Sequence, residues 1–119
     1  MIALERELER LEGLWDAGGR HAFEVYLETA ESEPVALAAA LIELALRLQR
    51  LGESAPPAGE LLRADLCMAR ASRLLAETRN RELQVAFARA IEAQSAAAAD
   101  GRQPPDLRAA LLAASRAGR

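Results

Sequence analysis

Lysine is absent from this 119-residue chain, cysteine, tryptophan and tyrosine each occur once, and aromatic residues make up only 3%. A single cysteine, Cys67, excludes an intramolecular disulfide framework and gives no sign of an oxidising compartment. The few aromatics, set against a large Ala and Leu content, disfavour a sheet and favour helices. No run reaches the roughly 18 apolar residues of a membrane span. Even Val35 to Leu46 is interrupted by Glu43 and closed by Arg47. With 15 basic and 18 acidic residues the net charge is -3, so the basic field that phosphate backbones require is missing and nucleic acid is not expected as a partner. All the basic residues are Arg, which reads as a compositional bias that also enriches Ala, since Arg and Lys have similar helix propensity. The opening Met1-Ile-Ala-Leu-Glu-Arg-Glu lacks the basic start and apolar stretch of a signal peptide, so a cytoplasmic location is expected.

What is present is a punctuated series of Ala/Leu-rich segments. Leu4, Leu8, Leu11 and Trp15 recur at helical spacing and predict an amphipathic helix over 2–16, ended by Gly18-Gly19. Ala22, Phe23, Tyr26, Leu27 and Ala30 mark a second, shorter helix. Pro34, suited to a first helical turn, opens a third that reaches Leu51 and is apolar around much of its circumference, with its polar side limited to Glu43, Arg47, Gln49 and Arg50. Gly52 to Gly59 is the clearest loop. Helices follow over about 60–77 and 81–99, the second capped by Asn80, and a short one starts after Pro104-Pro105-Asp106. The expected fold is therefore all-α: one domain over 1–119, a compact bundle of about six helices. Residues 2–31 form N-terminal docking helices, 34–100 the central helices, and 104–119 a short helix and tail.

Chemistry-bearing residues are few. His21 shares a helix face with Glu24 and Glu28, yet a bundle metal site needs a second ligand-bearing helix, so a solvated face is the preferred reading and no metal is assigned. Cys67, beside Met68 in an apolar stretch, reads as a small buried hydrophobe. Asp65 lies among Leu61, Leu62, Leu66 and Ala69 and is a candidate buried polar residue, with Arg47 and Arg50 as partners. An exposed Asp65 balanced by Arg63 or Arg70 is the other reading. No phosphate loop, nucleophile elbow, zinc spacing or calcium loop occurs.

The segment from Gly59 to Glu77, GELLRADLCMARASRLLAE, resembles the trans-type polyprenyl diphosphate synthases. In that all-helical family a Gly-Asp pair leads into a helix of the form DxLxxxAxxLLAE. Asp65, Ala71, Leu74, Leu75, Ala76 and Glu77 match it, with Ala64 in place of the glycine. Ala40-Leu-Ile-Glu43-Leu44 looks like the helix that leads into the family's first aspartate-rich motif, and Asn80 to Gln94 like the helix after DxLxxxA, so the likeness covers about 34–100. Where the family places DDxxD, this chain has Gly52-Glu-Ser-Ala-Pro-Pro, with only Glu53 to offer, and no second aspartate-rich motif occurs in the 119 residues. Those aspartates bind the magnesium that neutralises the diphosphate and aids its departure.

The resemblance thus implies a non-catalytic small subunit of a two-component long-chain prenyl diphosphate synthase. It would hold no cofactor of its own, the magnesium belonging to the catalytic partner, and it would shape the apolar tunnel that limits chain growth. Met68, Leu75, Phe87 and Ile91 are the interface or tunnel candidates. The alternative is an interaction module unrelated to prenyl transfer that forms a homodimer, and the most distant reading is an independent enzyme using His21 or Cys67.

Overall fold

The computed structural model describes residues 18–30, 32–49 and 56–118. Among them are five α-helices: α1 (Arg20–Leu27), α2 (Glu33–Gln49), α3 (Ala58–Glu77), α4 (Arg81–Ala99) and α5 (Leu107–Ser115). All five correspond to predicted segments. The predicted helix over 2–16, with its stripe Leu4, Leu8, Leu11 and Trp15, lies outside the described residues, as does the first half of the loop expected from Gly52 to Gly59, whose last two residues belong to α3. None of the described helices is long and apolar enough to cross a membrane.

The fold is organised around α2. Ser32 Oγ accepts a hydrogen bond from the Val35 amide at 3.4 Å, and Pro34 occupies the first turn, where its missing N–H costs nothing. From Val35 to Leu46 every residue is buried, as befits a helix with neighbours on all sides. α1, α3 and α5 each pack on it. The α2–α3 seam is the most extensive, and small residues make it so: Ala64, Cys67 and Ala71 of α3 are fully buried, as are the alanines from Ala36 to Ala40 of α2. Helix axes approach closely where the side chains between them are short. Leu74, Leu75, Leu83, Phe87, Leu111 and Ala114 complete the core from α3, α4 and α5.

Two turns place α4 and α5. Between α3 and α4 the chain reverses in three residues, with Arg79 in the left-handed region at φ 55°. The Leu75 carbonyl accepts from Thr78 Oγ1 and from Gln84 Nε2, and Asn80 Oδ1 caps α4 by accepting from the Leu83 amide at 3.1 Å. At its other end α4 closes in a Schellman turn: the Arg102 amide donates to the Ala97 carbonyl at 2.8 Å and the Gly101 amide to that of Ala98 at 3.3 Å, with Gly101 at φ 67°. Asp106 Oδ1 then caps α5 through the Ala109 amide at 2.9 Å, and buried Gln94 pins the approach by donating Nε2 to the Pro105 carbonyl at 2.7 Å. The tail returns to the start of α4, because a Cβ on Gly118 would lie 2.5 Å from the Asn80 amide group.

The two left-handed positions that flank α4, Arg79 and Gly101, differ in residue type, and stability should register it. Gly101→Ala is expected to lower the unfolding free energy by about 1 kcal/mol, while Arg79→Gly, which relieves the same steric conflict at an exposed position, raises it by up to about 1 kcal/mol. Urea denaturation of the two variants checks the opposite signs.

Candidate functional site

The interior contains one feature that apolar packing does not explain. Glu43, in the middle of α2, is 1% exposed, and among the described residues it is the one charged side chain that is buried. Four residues earlier or later on the same helix would not suffice to satisfy it, so partners arrive from other helices. Tyr26 of α1 donates its hydroxyl to Oε1 at 2.7 Å. Arg108, in the first turn of α5, grips the carboxylate in a fork, Nε to Oε1 at 2.9 Å and Nη2 to Oε2 at 2.7 Å. Arg47, one turn along α2, adds an ion pair at 3.1 Å with its own side chain mostly in solvent. A planar guanidinium meeting a carboxylate edge-on is the strongest of the ordinary charged hydrogen-bond geometries.

Ionisation follows from this arrangement. Burial pushes the Glu43 carboxyl upward, but the Arg108 and Tyr26 hydrogen bonds and the two guanidinium charges outweigh it and hold the group below its ordinary value of 4.5. Burial, reinforced by the hydrogen bond to anionic Glu43, drives the Tyr26 phenol far above its usual range, so it stays a donor. The pair with Glu43 raises Arg108 further, against the opposing effect of burial. The cluster holds one carboxylate between two guanidinium groups and a neutral phenol, with the proton positions fixed. It offers neither a nucleophile nor a base poised near neutrality, which acid–base catalysis requires.

The sequence-predicted residues are scattered relative to it. Asp65 stands exposed, not buried: the α3 face that carries it looks away from α2, and the buried seam is made by Ala64, Cys67 and Ala71. The buried carboxylate is Glu43, which the sequence pattern places on the polar side of its helix. Leu75 and Phe87 belong to the chain's own core, at 7% and 1% exposure, whereas Met68 and Ile91 are partly buried against it. His21, Glu24 and Glu28 are all exposed. Among the described residues no group of three or more His, Cys, Asp or Glu side chains is gathered closely enough to hold a metal ion. Cys67 is fully buried, which pushes its thiol up to about 11.

A groove of about 530 Å³ lies where α2 and α4 begin and α3 ends, with Val35, Leu74 and Leu83 as its apolar floor and Ser32, Glu77, Thr78 and Asn80 at its rim. It is open, and its polar groups are largely engaged in helix capping. On the outer side of α3, Leu61, Leu62 and Leu66 are 40%, 69% and 38% exposed. No protein-family model, no curated protein and no solved structure matches the chain.

Stability should depend on pH through Glu43. Its folded-state pKa is depressed, so the contribution is complete above the ordinary value of 4.5 and is lost as pH falls through that value and on through the folded one. The wild-type protein should weaken over this acid window, and Glu43→Gln should flatten the curve there while being less stable at neutral pH. Arg108→Met leaves the carboxylate with Tyr26 and Arg47 and is expected to cost about 2–4 kcal/mol, against about 1–2 kcal/mol for Tyr26→Phe. Thermal unfolding from pH 3 to 7 reads both the order and the slope.

Proposed function

We propose that this chain is a non-catalytic helical subunit that works by association, docking on a catalytic polyprenyl diphosphate synthase and helping to set the length of its isoprenoid product. The observation that carries this reading is the solvent-facing leucine cluster of α3. Leu62 and Leu66 are four residues apart on one helix face and Leu61 flanks them. Single exposed leucines are ordinary, but three within two turns form the kind of apolar spot that a partner covers. They belong to the segment Gly59 to Glu77, on which the resemblance to the synthases rests.

The same segment supports a role without chemistry of its own. The aspartate-rich motif has no counterpart in the 119 residues, so magnesium and the diphosphate are assigned to the partner. Of the four interface or tunnel candidates, Met68 and Ile91 keep surface that a partner can touch directly. Leu75 and Phe87 act at most through the shape of the helices they hold together. A homodimer through the α3 leucines is the competing assembly, since the same face would serve a second copy.

Co-expression of the tagged chain with a DDxxD-containing synthase from the same genome tests the proposal. A stable complex with a product length different from that of the synthase alone is expected. Leu62→Glu/Leu66→Glu should abolish co-purification while costing no more than about 0.5 kcal/mol at Leu62, which is 69% exposed, and about 1 kcal/mol at the half-covered Leu66. A complex that survives the double substitution would remove α3 as the contact. Homodimers with no heteromer would favour the competing assembly, and condensation of isopentenyl diphosphate by the isolated chain would refute the non-catalytic role.

A further inference from the structure

We infer that α5 is an exchangeable helix: Leu107–Ser115 of one copy docks on α2 and α4 of a second copy, where its Arg108 grips Glu43, and two chains thereby form a reciprocal dimer. This assembly uses the polar cluster and makes no use of the α3 leucines, so it stands apart from the synthase reading.

Three observations lead there. The first is the connection. Every residue from Asp100 to Asp106 is exposed, and the link holds Pro104-Pro105, which keeps the residues before each proline extended. Seven residues drawn out span roughly 23 Å, enough to carry a short helix to a neighbouring molecule. The second is the docking surface. Leu111, Ala114 and Ser115 are buried, Leu107 and Leu112 pack at the margin, and Arg108 reaches a carboxylate 65 residues away in sequence. None of these contacts depends on which chain supplies the helix, and the Gln94–Pro105 bond can be remade in the same way.

The third observation concerns the open state through which exchange must pass. Removing the partner of a buried charge is normally prohibitive. Here Glu43 keeps the Tyr26 hydroxyl at 2.7 Å and the Arg47 guanidinium at 3.1 Å when α5 departs, so the carboxylate is not orphaned. What α5 leaves behind is an apolar slot with an anion in its wall. Its complement is a short helix with Arg directly after its first Leu and a further apolar pair one turn on, which describes Leu107, Arg108, Leu111 and Leu112. A second copy carries that helix by construction of the sequence, and exchange of an identical element remakes the contacts of α5 itself, at the cost of association entropy and of the Arg102–Ala97 and Gly101–Ala98 turn bonds that the extended link gives up.

Reciprocal charge reversal provides the test, in a Leu62→Glu/Leu66→Glu background so that pairing through α3 cannot contribute. In a chain carrying Glu43→Arg the slot repels its own Arg108, and in a chain carrying Arg108→Glu two carboxylates face each other. Exchange of α5 between the two restores opposite charges in both slots. Each variant alone should show a lowered melting temperature, and refolding them together should give a 1:1 heterodimer by light scattering with the melting temperature recovered. Co-refolding that yields only separate chains would overturn the inference. Should neither variant fold even in the mixture, the Leu62→Glu/Leu66→Glu chain without charge reversal decides: refolded at high protein concentration, a dimer by light scattering supports exchange and a monomer at every concentration overturns it.

Discussion

A carboxylate at the centre of a helix that is buried on every side sets the terms for the rest of this bundle. Glu43 is a charge among Leu, Ile and Ala, and leaving it unmatched would cost more than most of the apolar contacts around it provide. The match comes from α1 through Tyr26 and from α5 through Arg108. Ala- and Leu-rich helix surfaces are permissive and can pack in several registers at similar energy. Hydrogen bonds are directional, so the two helices that reach Glu43 have one position each along α2. The short helices, which have the least apolar area to hold them, are the ones so fixed.

α3 obeys a different rule. Its inner edge is a run of small residues, Ala64, Cys67 and Ala71, which lets it lie close along α2. Its outer edge carries Leu62 and Leu66. The helix is therefore apolar on two sides. The inner side accounts for its place in the bundle, and the outer side is the part of the molecule for which folding alone gives no reason.

The helices were readable because their boundaries are written in local chemistry: Ser32 and Pro34, Asn80, Gly101, and Asp106 after two prolines. The last cap, the Schellman glycine and the start of α4 coincide with the expected ends to within a residue. The site was not readable in the same way. Glu43 precedes Arg47 by one turn, a spacing that ordinarily signals an exposed ion pair, while its decisive partners lie 17 and 65 residues away. One signal was available. A helix with apolar residues around its whole circumference has no solvent face on which to place a glutamate near its midpoint, so the polarity pattern that identified α2 as central also required Glu43 to be buried. Of the two readings open for Asp65 the exposed one holds, and the sequence could not choose between them: its apolar neighbours Leu61, Leu62 and Leu66 are themselves exposed, and periodicity does not distinguish an inward leucine stripe from an outward one.

The lone cysteine gives the molecule an internal clock. Cys67 sits at full burial in the α2–α3 seam with its thiol raised to about 11, so neither access nor ionisation allows an alkylating reagent to react while the seam is shut. There is no second thiol to react in its place. The rate at which the native chain takes up one equivalent of such a reagent therefore counts the openings of its largest helix–helix contact, and any ligand or partner that tightens the bundle lengthens the interval between them.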